Sequence, residues 1–307
     1  MHDLRSDQES PGEGALVGAY QLVRRIGVGG MGEVWLGEHV LLGRCAAIKL
    51  LQPEFAKNRE IVRRFFNEAR AATTIADPGV VQIFDCGRHY DGSTYIVMEL
   101  LEGETLGARI RALGALVSMS ALHIMRQIAG SVGAAHAHGI IHLDLKPDNV
   151  FLVRDPAVLG GERAKILDFG IAKRVGDLSV QTQISAVMGT PAFMSPEQCR
   201  GSGRVDQRSD VYALGCVLYA MVTGEPPFDA DELAELIARK LREPAPRASS
   251  RAPDVPPVLD ELIARCLDQD PERRFGSGTE LAVAIDVLLD GAASCGRWRR
   301  KHGGTRQ

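Results

Sequence analysis

Apolar and polar residues alternate along the first third of the chain, which is the pattern of half-buried β-strands. Residues 20–23 and 33–36 alternate in this way, residues 45–50 form a short apolar strand, and residues 80–85 and 93–100 are also predicted to be strands. Residues 60–75, by contrast, place Ile61, Phe65, Ala69 and Ala72 at helical spacing with charged residues between them. This part of the chain is therefore predicted to form a small antiparallel sheet with one helix.

Beyond about residue 104 the apolar spacing changes to that of helices. The strongest helical segments are residues 118–138, 209–223, 258–267 and 280–289. Gly224 stands where a helix would end, and residues 244–257 form a loop rich in Pro, Ser and Arg. The sequence thus predicts an α+β protein, with a small sheet lobe followed by a larger, mainly helical lobe.

Both ends of the chain are polar. Residues 1–17 are rich in Asp, Glu, Ser and Gly and are predicted to be a disordered leader. Residues 291–307 are small and basic, with Arg297, Arg299, Arg300 and Lys301 around Trp298. Short charge runs usually face water, so this segment is predicted to be a flexible tail.

The bulk composition restricts the function classes. The formal net charge of -3 over 307 residues indicates neither a nucleic-acid nor a membrane-surface partner. The cysteines are scattered singly with no CxxC pair, which favours a reduced, cytoplasmic setting. No apolar run reaches the roughly 18 residues of a membrane span, so no integral membrane segment is expected. The cysteines are Cys45, Cys86, Cys199, Cys216, Cys266 and Cys295.

The first chemical motif is glycine-rich. Gly27, Val28, Gly29 and Gly32 give a GxGxxG pattern, in which backbone N–H groups can approach phosphate oxygens closely. An ordinary hairpin turn and a dinucleotide-binding fingerprint are the alternatives. The fingerprint requires a helix directly after the glycines, whereas residues 33–36 have a strand pattern. A strand-turn-strand phosphate loop is therefore favoured, and Lys49 in the following strand supports it.

The second motif is the octapeptide at residues 142–149, His-Leu-Asp-Leu-Lys-Pro-Asp-Asn. It places a candidate proton acceptor, Asp144, beside a cation, Lys146, and a metal-binding amide, Asn149. These are the parts of a phosphoryl-transfer site. Asp168 follows shortly afterwards within an Asp-Phe-Gly triplet.

These motifs, in this order, resemble the eukaryotic-like (Hanks-type) Ser/Thr protein kinases of bacteria. The resemblance implies a bilobal kinase domain at residues 18–290, with an N-lobe at about 18–98, a hinge at about 99–103 and a C-lobe at about 104–290. It implies ATP-dependent phosphorylation of Ser and Thr hydroxyls on proteins, including autophosphorylation of the activation loop. The cofactors would be ATP and Mg²⁺, with Mn²⁺ as an alternative, and a transient kinase homodimer would serve phosphorylation in trans.

The resemblance also assigns residue roles. Asp144 would accept the hydroxyl proton and Lys146 would neutralise the γ-phosphate, while Asn149 and Asp168 would bind the metal. Lys49 would contact the α- and β-phosphates and pair with Glu68, with Glu60 as the alternative partner. For adenine, the implied residues are Met98 as gatekeeper, the backbone of Glu99 and Leu101 as hinge, and Val34, Ala47 and Phe151 as apolar walls.

Residues 189–197 resemble the segment that closes the activation loop and positions the acceptor peptide, with Phe193 and Ser195 as substitutions. In this resemblance Thr190 contacts Asp144 and Lys146, and Glu197 forms a buried ion pair with Arg274. The remaining assignments are Asp210 as a hydrogen-bond acceptor for the catalytic-loop backbone, Phe169 and Gly170 as structural residues, and Thr182 and Ser185 as candidate phosphorylation sites.

Two departures and two rival functions remain open. Leu143 stands where most family members have an Arg that pairs with a phosphorylated residue, so activity is expected to depend less on phosphorylation. Residues 154–164 form a longer hairpin than usual, which is expected to leave the chemistry untouched. A nucleotide-binding pseudokinase and a small-molecule kinase of the aminoglycoside type are the rivals. The second should lack the peptide-positioning segment.

Overall fold

The computed structural model describes residues 11–169, 173–174, 191–201 and 205–302, with the backbone alone at 173–174 and 292–302. The chain divides into two compact units. The first contains Met1–Thr74, Val81–Glu102 and Phe169–Ile171; the second contains Ile75–Val80, Gly103–Asp168 and Ala172–Gln307. The first is built on an antiparallel sheet and the second is mainly helical, which confirms the predicted α+β class with two lobes.

The first unit contains a six-stranded antiparallel sheet in the order β1-β2-β3-β4-β6-β5. Its strands are β1 Leu16–Val17, β2 Tyr20–Gly29, β3 Gly32–His39, β4 Cys45–Leu51, β5 Ile83–Arg88 and β6 Thr94–Met98. Two helices follow β4, namely α1 Pro53–Ala56 and α2 Arg59–Thr74. The sheet therefore matches the alternating pattern read from the first third of the chain.

Alternation along β4 sends successive side chains to opposite faces of this sheet. Ile48 and Leu50 belong to one apolar cluster with Trp35, whereas Leu51 belongs to a second cluster with Phe65 of α2. Helix α2 consequently covers one face of the sheet. A side chain at position 49 shares the face of Leu51 and points towards α2.

The second unit is built on seven helices among the described residues. They are α3 Leu106–Leu113, α4 Ser118–Ala137, α5 Pro196–Cys199, α6 Gln207–Thr223, α7 Leu233–Arg242, α8 Pro257–Cys266 and α9 Gly278–His302. Helix α6 is buried from Ser209 to Val222, so it forms the centre of this unit. Its N-cap is Asp206, whose side chain accepts from the Arg208 N–H, and its C-cap is Gly224 in the left-handed conformation.

Short strands complete the second unit. A three-stranded sheet has the order β10-β9-β7, from β7 Gly103–Thr105, β9 Val150–Arg154 and β10 Glu162–Ile166, and β8 Ile140–Ile141 pairs with β11 Lys173–Arg174. Glu162 pairs with Arg154, so residues 155–161 form the tip of the predicted long hairpin. Short 3-10 helices occur at Pro147–Asn149, Pro191–Phe193, Ala248–Ser250 and Pro271–Arg273.

Three predictions about element bounds are wrong. The disordered leader does not extend to residue 17, because Leu16–Val17 pairs with β2 and Val17 is fully buried. Residues 291–302 are helical rather than a flexible tail, because α9 continues to His302. The strand predicted at 80–85 begins at Ile83, since Val80 instead forms a parallel bridge with Ile166 of β10, and both of these residues belong to the second unit.

Candidate active site

Lys49 is held by a carboxylate within the first unit. Its Nζ lies 2.8 Å from Oε1 of Glu68 on α2, and the two side chains are 17% and 12% exposed. The contact follows from the strand period, since Lys49 and Leu51 share the face that α2 covers. Glu60 instead pairs with Arg64 on the same helix. The ion pair implied between Lys49 and Glu68 is therefore present.

The glycine loop is the tight hairpin between β2 and β3, where Gly29 pairs with Gly32. Gly32 is required by packing, because a Cβ there would lie 2.1 Å from the carbonyl oxygen of Leu50. Gly27 and Gly29 have no such restriction, since the nearest atoms to a built Cβ are 3.7 and 3.9 Å away. Neither has a positive φ among the described glycines. Their lack of side chains is thus unexplained by the fold and leaves the backbone accessible to a ligand.

The segment after β6 presents backbone groups. Met98 ends the strand and pairs with Ala47. The N–H of Glu99 donates to the carbonyl of Gln82, and the Glu99 carboxylate accepts from the Gln82 N–H. These bonds fix the backbone at residue 99, two positions before Leu101. Each predicted apolar wall is buried or half-buried in its own unit: Val34, Ala47 and Phe151.

Asp210 fixes the backbone of the loop that carries Asp144. It is fully buried, and it accepts from the N–H groups of His142 and Leu143 at 2.8 Å each and from Nε2 of His136 at 2.9 Å. Nδ1 of His136 accepts from the Gly278 N–H, so its proton resides on Nε2. Burial alone would raise the pKa of Asp210, but its hydrogen bonds and the nearby imidazoles hold that pKa below the ordinary value.

The Asp144 carboxylate is oriented by its neighbours in the same loop. Oδ2 accepts from Nζ of Lys146 and from Nδ2 of Asn149, each at 3.1 Å. The same Nδ2 donates to the Asp144 carbonyl at 2.8 Å, and the Asp144 N–H donates to Nδ1 of His142. Oδ1 receives none of these bonds. A carboxylate with one oxygen held and the other directed elsewhere can accept a proton from a hydroxyl group.

Asp168 lies at the end of the segment after β10 and has a positive φ of 52°, which is unusual for a residue other than Gly. The preceding residue, Leu167, is hydrogen-bonded to the loop that carries Asp144. Its N–H donates to the carbonyl of Asn149, and its carbonyl accepts from Nε2 of His142. Asp168 and Asn149 are thereby placed on adjacent, hydrogen-bonded segments of the second unit. Phe169, which follows, is 1% exposed.

Glu197 and Arg274 form the implied buried ion pair, with Nη1–Oε1 at 2.8 Å and Nη2–Oε2 at 3.0 Å. Oγ of Ser209 also donates to Oε1, and the guanidinium lies 4.9 Å from the ring centroid of Tyr212. Burial alone would raise the pKa of Glu197, but the hydrogen bonds and charge of Arg274 outweigh it and hold that pKa below the ordinary value.

Leu143, the departure at the position of the usual Arg, is buried and has a φ of 65°. Its N–H is bonded to Asp210, and its carbonyl accepts from Nε2 of Gln198 at 2.9 Å. Oε1 of Gln198 accepts from the N–H and Oγ of Ser195, which completes a capping box at the start of α5. The loop at residues 142–149 is thus attached to α5 through the side chain of Gln198.

Four predicted residues lie outside the described part of the chain, namely Gly170, Thr182, Ser185 and Thr190. Three others with clear roles in the geometry were missed from the sequence. His136 is a lone histidine on an apolar helix, and Ser209 and Gln198 are ordinary helix-terminal residues. Only the spacing of Ser195 and Gln198, which is that of a capping box, could have indicated one of these contacts.

Comparison with known proteins adds the family context. The family model described as protein kinase domain matches residues 20–284. The chain is 42% identical over 287 residues to the Ser/Thr-protein kinase Pkn1 of Myxococcus xanthus, covering 92% of this chain and 40% of the relative. It is 37% identical over 273 residues to the Ser/Thr-protein kinase PrkC of Bacillus subtilis, covering 89% and 41%. The chain thus spans about two fifths of the length of these curated relatives.

A solved structure is similar over almost its whole length. The kinase domain of Mycobacterium tuberculosis PknI is 30% identical, with a TM-score of 0.70, covering 90% of this chain and 99% of that one. The similarity extends through both units and supports the bilobal kinase fold. Separately, none of the helices in the described residues is long and apolar enough to cross a bilayer.

Proposed function

The chain belongs to the protein kinase family, and from this premise we propose that it transfers the γ-phosphoryl group of ATP to Ser and Thr hydroxyls of proteins in bacterial signal transduction. The observation that carries the proposal is the orientation of Asp144 by Lys146 and Asn149, on a loop whose backbone is bonded to buried Asp210. Phosphoryl transfer needs positioning and charge stabilisation more than covalent chemistry by the protein. This loop supplies both.

Each polar residue then has one role. Asp144 accepts the proton of the acceptor hydroxyl, and Lys146, 3.1 Å away, neutralises charge on the transferred group. Lys49, positioned by Glu68, binds the α- and β-phosphates. The accessible backbone at Gly27 and Gly29 approaches the phosphates from the glycine loop. The ion pair that positions Lys49 lies within the first unit, and the hydrogen bonds that orient Asp144 lie within the second. Each role is therefore supported by contacts inside a single unit.

A protein kinase domain acts with ATP and a divalent metal ion, and we propose Mg²⁺, with Mn²⁺ as an alternative. When bound, the ion neutralises charge on the phosphates. Asn149 and Asp168 are the residues that would hold it. Because Nδ2 of Asn149 is occupied by Asp144, its amide oxygen is the atom that can meet a cation. Two oxygen ligands from the protein suit Mg²⁺, which also takes oxygens from substrate phosphates and water.

The two rival functions have less support. A pseudokinase is favoured only by Leu143, and the Lys49–Glu68 pair and the oriented Asp144 indicate an intact site. A small-molecule kinase would not need the segment from Pro191 to Cys199. Here that segment is held by the buried ion pair of Glu197. Both features support a protein substrate.

We further propose a cytoplasmic location and protein substrates, with a transient homodimer for phosphorylation in trans. The location is supported by the thiols of Cys45 and Cys86, which are exposed and yet free. The thiols of Cys216 and Cys266 are buried, which raises their pKa values to about 11 and about 12, respectively, so both are neutral and unreactive.

The acceptor type tests the proposed function. We expect the purified chain to transfer radiolabel from the γ-phosphate of ATP to a generic basic protein, yielding phosphoserine and phosphothreonine on acid hydrolysis. Lys49→Met, which removes the phosphate-directed cation, should abolish the transfer while far-UV circular dichroism stays unchanged. Label found only on tyrosine, or only on an aminoglycoside offered as acceptor, would refute the proposal.

A second expectation concerns Leu143. Since leucine cannot form a charge-assisted bond to phosphate, the double variant Thr182→Ala, Ser185→Ala should keep turnover within roughly a factor of three of wild type. Steady-state kinetics on a peptide acceptor measures this, with mass spectrometry confirming loss of activation-loop phosphate. Near-complete loss of turnover would show that phosphorylation is required despite Leu143.

A further inference from the structure

Lys240 is the one residue of α7 whose burial contradicts its sequence context. It stands in the last turn of an amphipathic helix among Arg239 and Arg242, where basic side chains normally reach solvent. Lys240 is nevertheless 0% exposed, whereas Arg242 is exposed. Lysine is almost never fully buried unless its charge is compensated. The position therefore needs a specific explanation.

The ammonium group is compensated by backbone carbonyls. Nζ donates to the carbonyl oxygens of Ala192 and Met194, both at 2.7 Å. It also lies 5.3 Å from the ring centroid of Tyr212 and 5.9 Å from that of Phe228, within the range of cation–π attraction. These four contacts replace the water that the ammonium loses on burial.

Among the described residues, no carboxylate forms an ion pair with Lys240. The nearest titratable groups include the thiol of Cys216, whose pKa burial raises to about 11, so that it carries no charge at neutral pH. Burial in turn lowers the pKa of the Lys240 ammonium below its ordinary value. A buried cation is costly for the fold, and the described part of the chain compensates this one with carbonyls and aromatic faces, which indicates that its value lies in what it positions.

The carbonyls that Lys240 holds belong to residues 189–197, the segment that resembles the peptide-positioning region of protein kinases. Ala192 and Met194 flank Phe193 in the 3-10 turn that leads directly into Ser195 and α5. On the far side of Ser195, Glu197 is fixed by Arg274. Two buried cations therefore hold one short stretch, Lys240 through the backbone carbonyls of Ala192 and Met194 and Arg274 through the carboxylate of Glu197.

On the basis of the proposed function, we propose that Lys240 is a positioning residue for the acceptor peptide. Its ammonium turns the carbonyls at 192 and 194 inward and fixes the backbone that receives the peptide. Since Lys240, Ala192 and Met194 all belong to the second unit, this action is independent of how Lys49 binds nucleotide. Loss of Lys240 should therefore weaken peptide binding and leave ATP binding unchanged.

The test is Lys240→Met, which keeps the length of the aliphatic chain and removes the charge. We expect the KM for a peptide acceptor to rise about tenfold, as for the loss of charge-assisted hydrogen bonds, with the KM for ATP unchanged within about twofold. Amide hydrogen exchange at residues 192–195 should accelerate while exchange in β4 and α2 stays the same. Arg242→Met, on the exposed side of the same helix, should match wild type in every measurement.

Each outcome decides between the two proposals. An unchanged peptide KM with unchanged exchange at 192–195 would overturn the role of Lys240 while leaving the kinase activity standing. An equal rise in both KM values would indicate a general structural role and would also overturn it. If wild type transfers no phosphate to any protein or peptide, the proposed function fails and this inference fails with it. Should Lys240→Met not fold, Lys240→Gln takes its place. Because glutamine keeps a hydrogen-bond donor, the expected rise in the peptide KM and in amide exchange at residues 192–195 is in the same direction but smaller.

Discussion

Asp144→Asn is expected to lower the rate of phosphoryl transfer about a thousandfold, the order of magnitude of a lost general base. Asparagine has the shape of aspartate but cannot accept the hydroxyl proton. In the native protein Lys146 and Asn149 donate to Oδ2 of Asp144, and in the variant they would meet a neutral amide there instead. Single-turnover transfer from radiolabelled ATP measures the loss. The KM for ATP should change little, since Asp144 acts on the acceptor rather than on the nucleotide.

Asp148→Asn is the matched control in the same loop. Asp148 is about half exposed and forms a surface ion pair with Arg111, so its replacement should alter turnover by less than roughly twofold. Thermal unfolding of both variants should coincide with that of wild type. Wild-type turnover in Asp144→Asn, or an equal loss in Asp148→Asn, would show that Asp144 is not the proton acceptor.

Glu197→Gln should lower the free energy of unfolding by about 3–5 kcal/mol, because it leaves the guanidinium of Arg274 buried without its charge partner. Both side chains are almost completely inaccessible, at 6% and 0% exposure, so solvent cannot compensate. Urea unfolding followed by circular dichroism measures the difference. Since Glu197 itself belongs to the peptide-positioning segment at residues 189–197, turnover should fall as well.

Glu272→Gln provides the exposed counterpart, because Glu272 pairs with Arg208 at the surface and is 76% exposed. Its effect should be at most about 1 kcal/mol. Equal losses in the two variants would indicate that burial of Glu197 does not determine the cost.

The Glu197 effect should also depend on pH. The pKa of Glu197 is lowered in the folded state, so its ionised form stabilises the fold above the unfolded-state pKa of about 4.3. That contribution disappears as pH falls through the lower, folded-state pKa. The stability difference between wild type and Glu197→Gln should therefore be constant near pH 7 and shrink in acid. A difference that grows as pH falls below about 4 would contradict the sign of this shift.

Local periodicity predicted those elements whose pattern is strong. The helix expected at 60–75 is observed as Arg59–Thr74, and the helix expected at 118–138 is observed as Ser118–Ala137. The errors occur where a non-local partner decides the conformation. Leu16–Val17 is a strand because β2 lies beside it, and Val80 is drawn into a bridge with Ile166. Composition carries no information about such partners.

The candidate active site shows the same contrast between what local sequence predicts and what non-local partners decide. The order of the motifs along the chain is enough to identify Lys49, Asp144, Asn149 and Asp168 as candidates. The side chain of Asp144 is oriented by residues of its own loop, whereas the contacts that fix the backbone of that loop are long-range. Asp210 reaches the backbone of His142 over 68 positions in the chain, a contact that only the resemblance to a family implied. Gln198 reaches Leu143 over 55 positions, and nothing in the sequence indicated it.

The sequence by itself determined which chemical groups are present, their order along the chain and the periods of strand and helix, because these are properties of neighbouring residues. Only the tertiary structure decided which charges are buried and what compensates them. Lys240 reads as a solvated lysine at the end of a helix, yet its ammonium lies on carbonyls 46 and 48 positions away. Burial depends on residues distant in sequence, and the cost of an uncompensated charge in a low-dielectric interior determines which of them must come together.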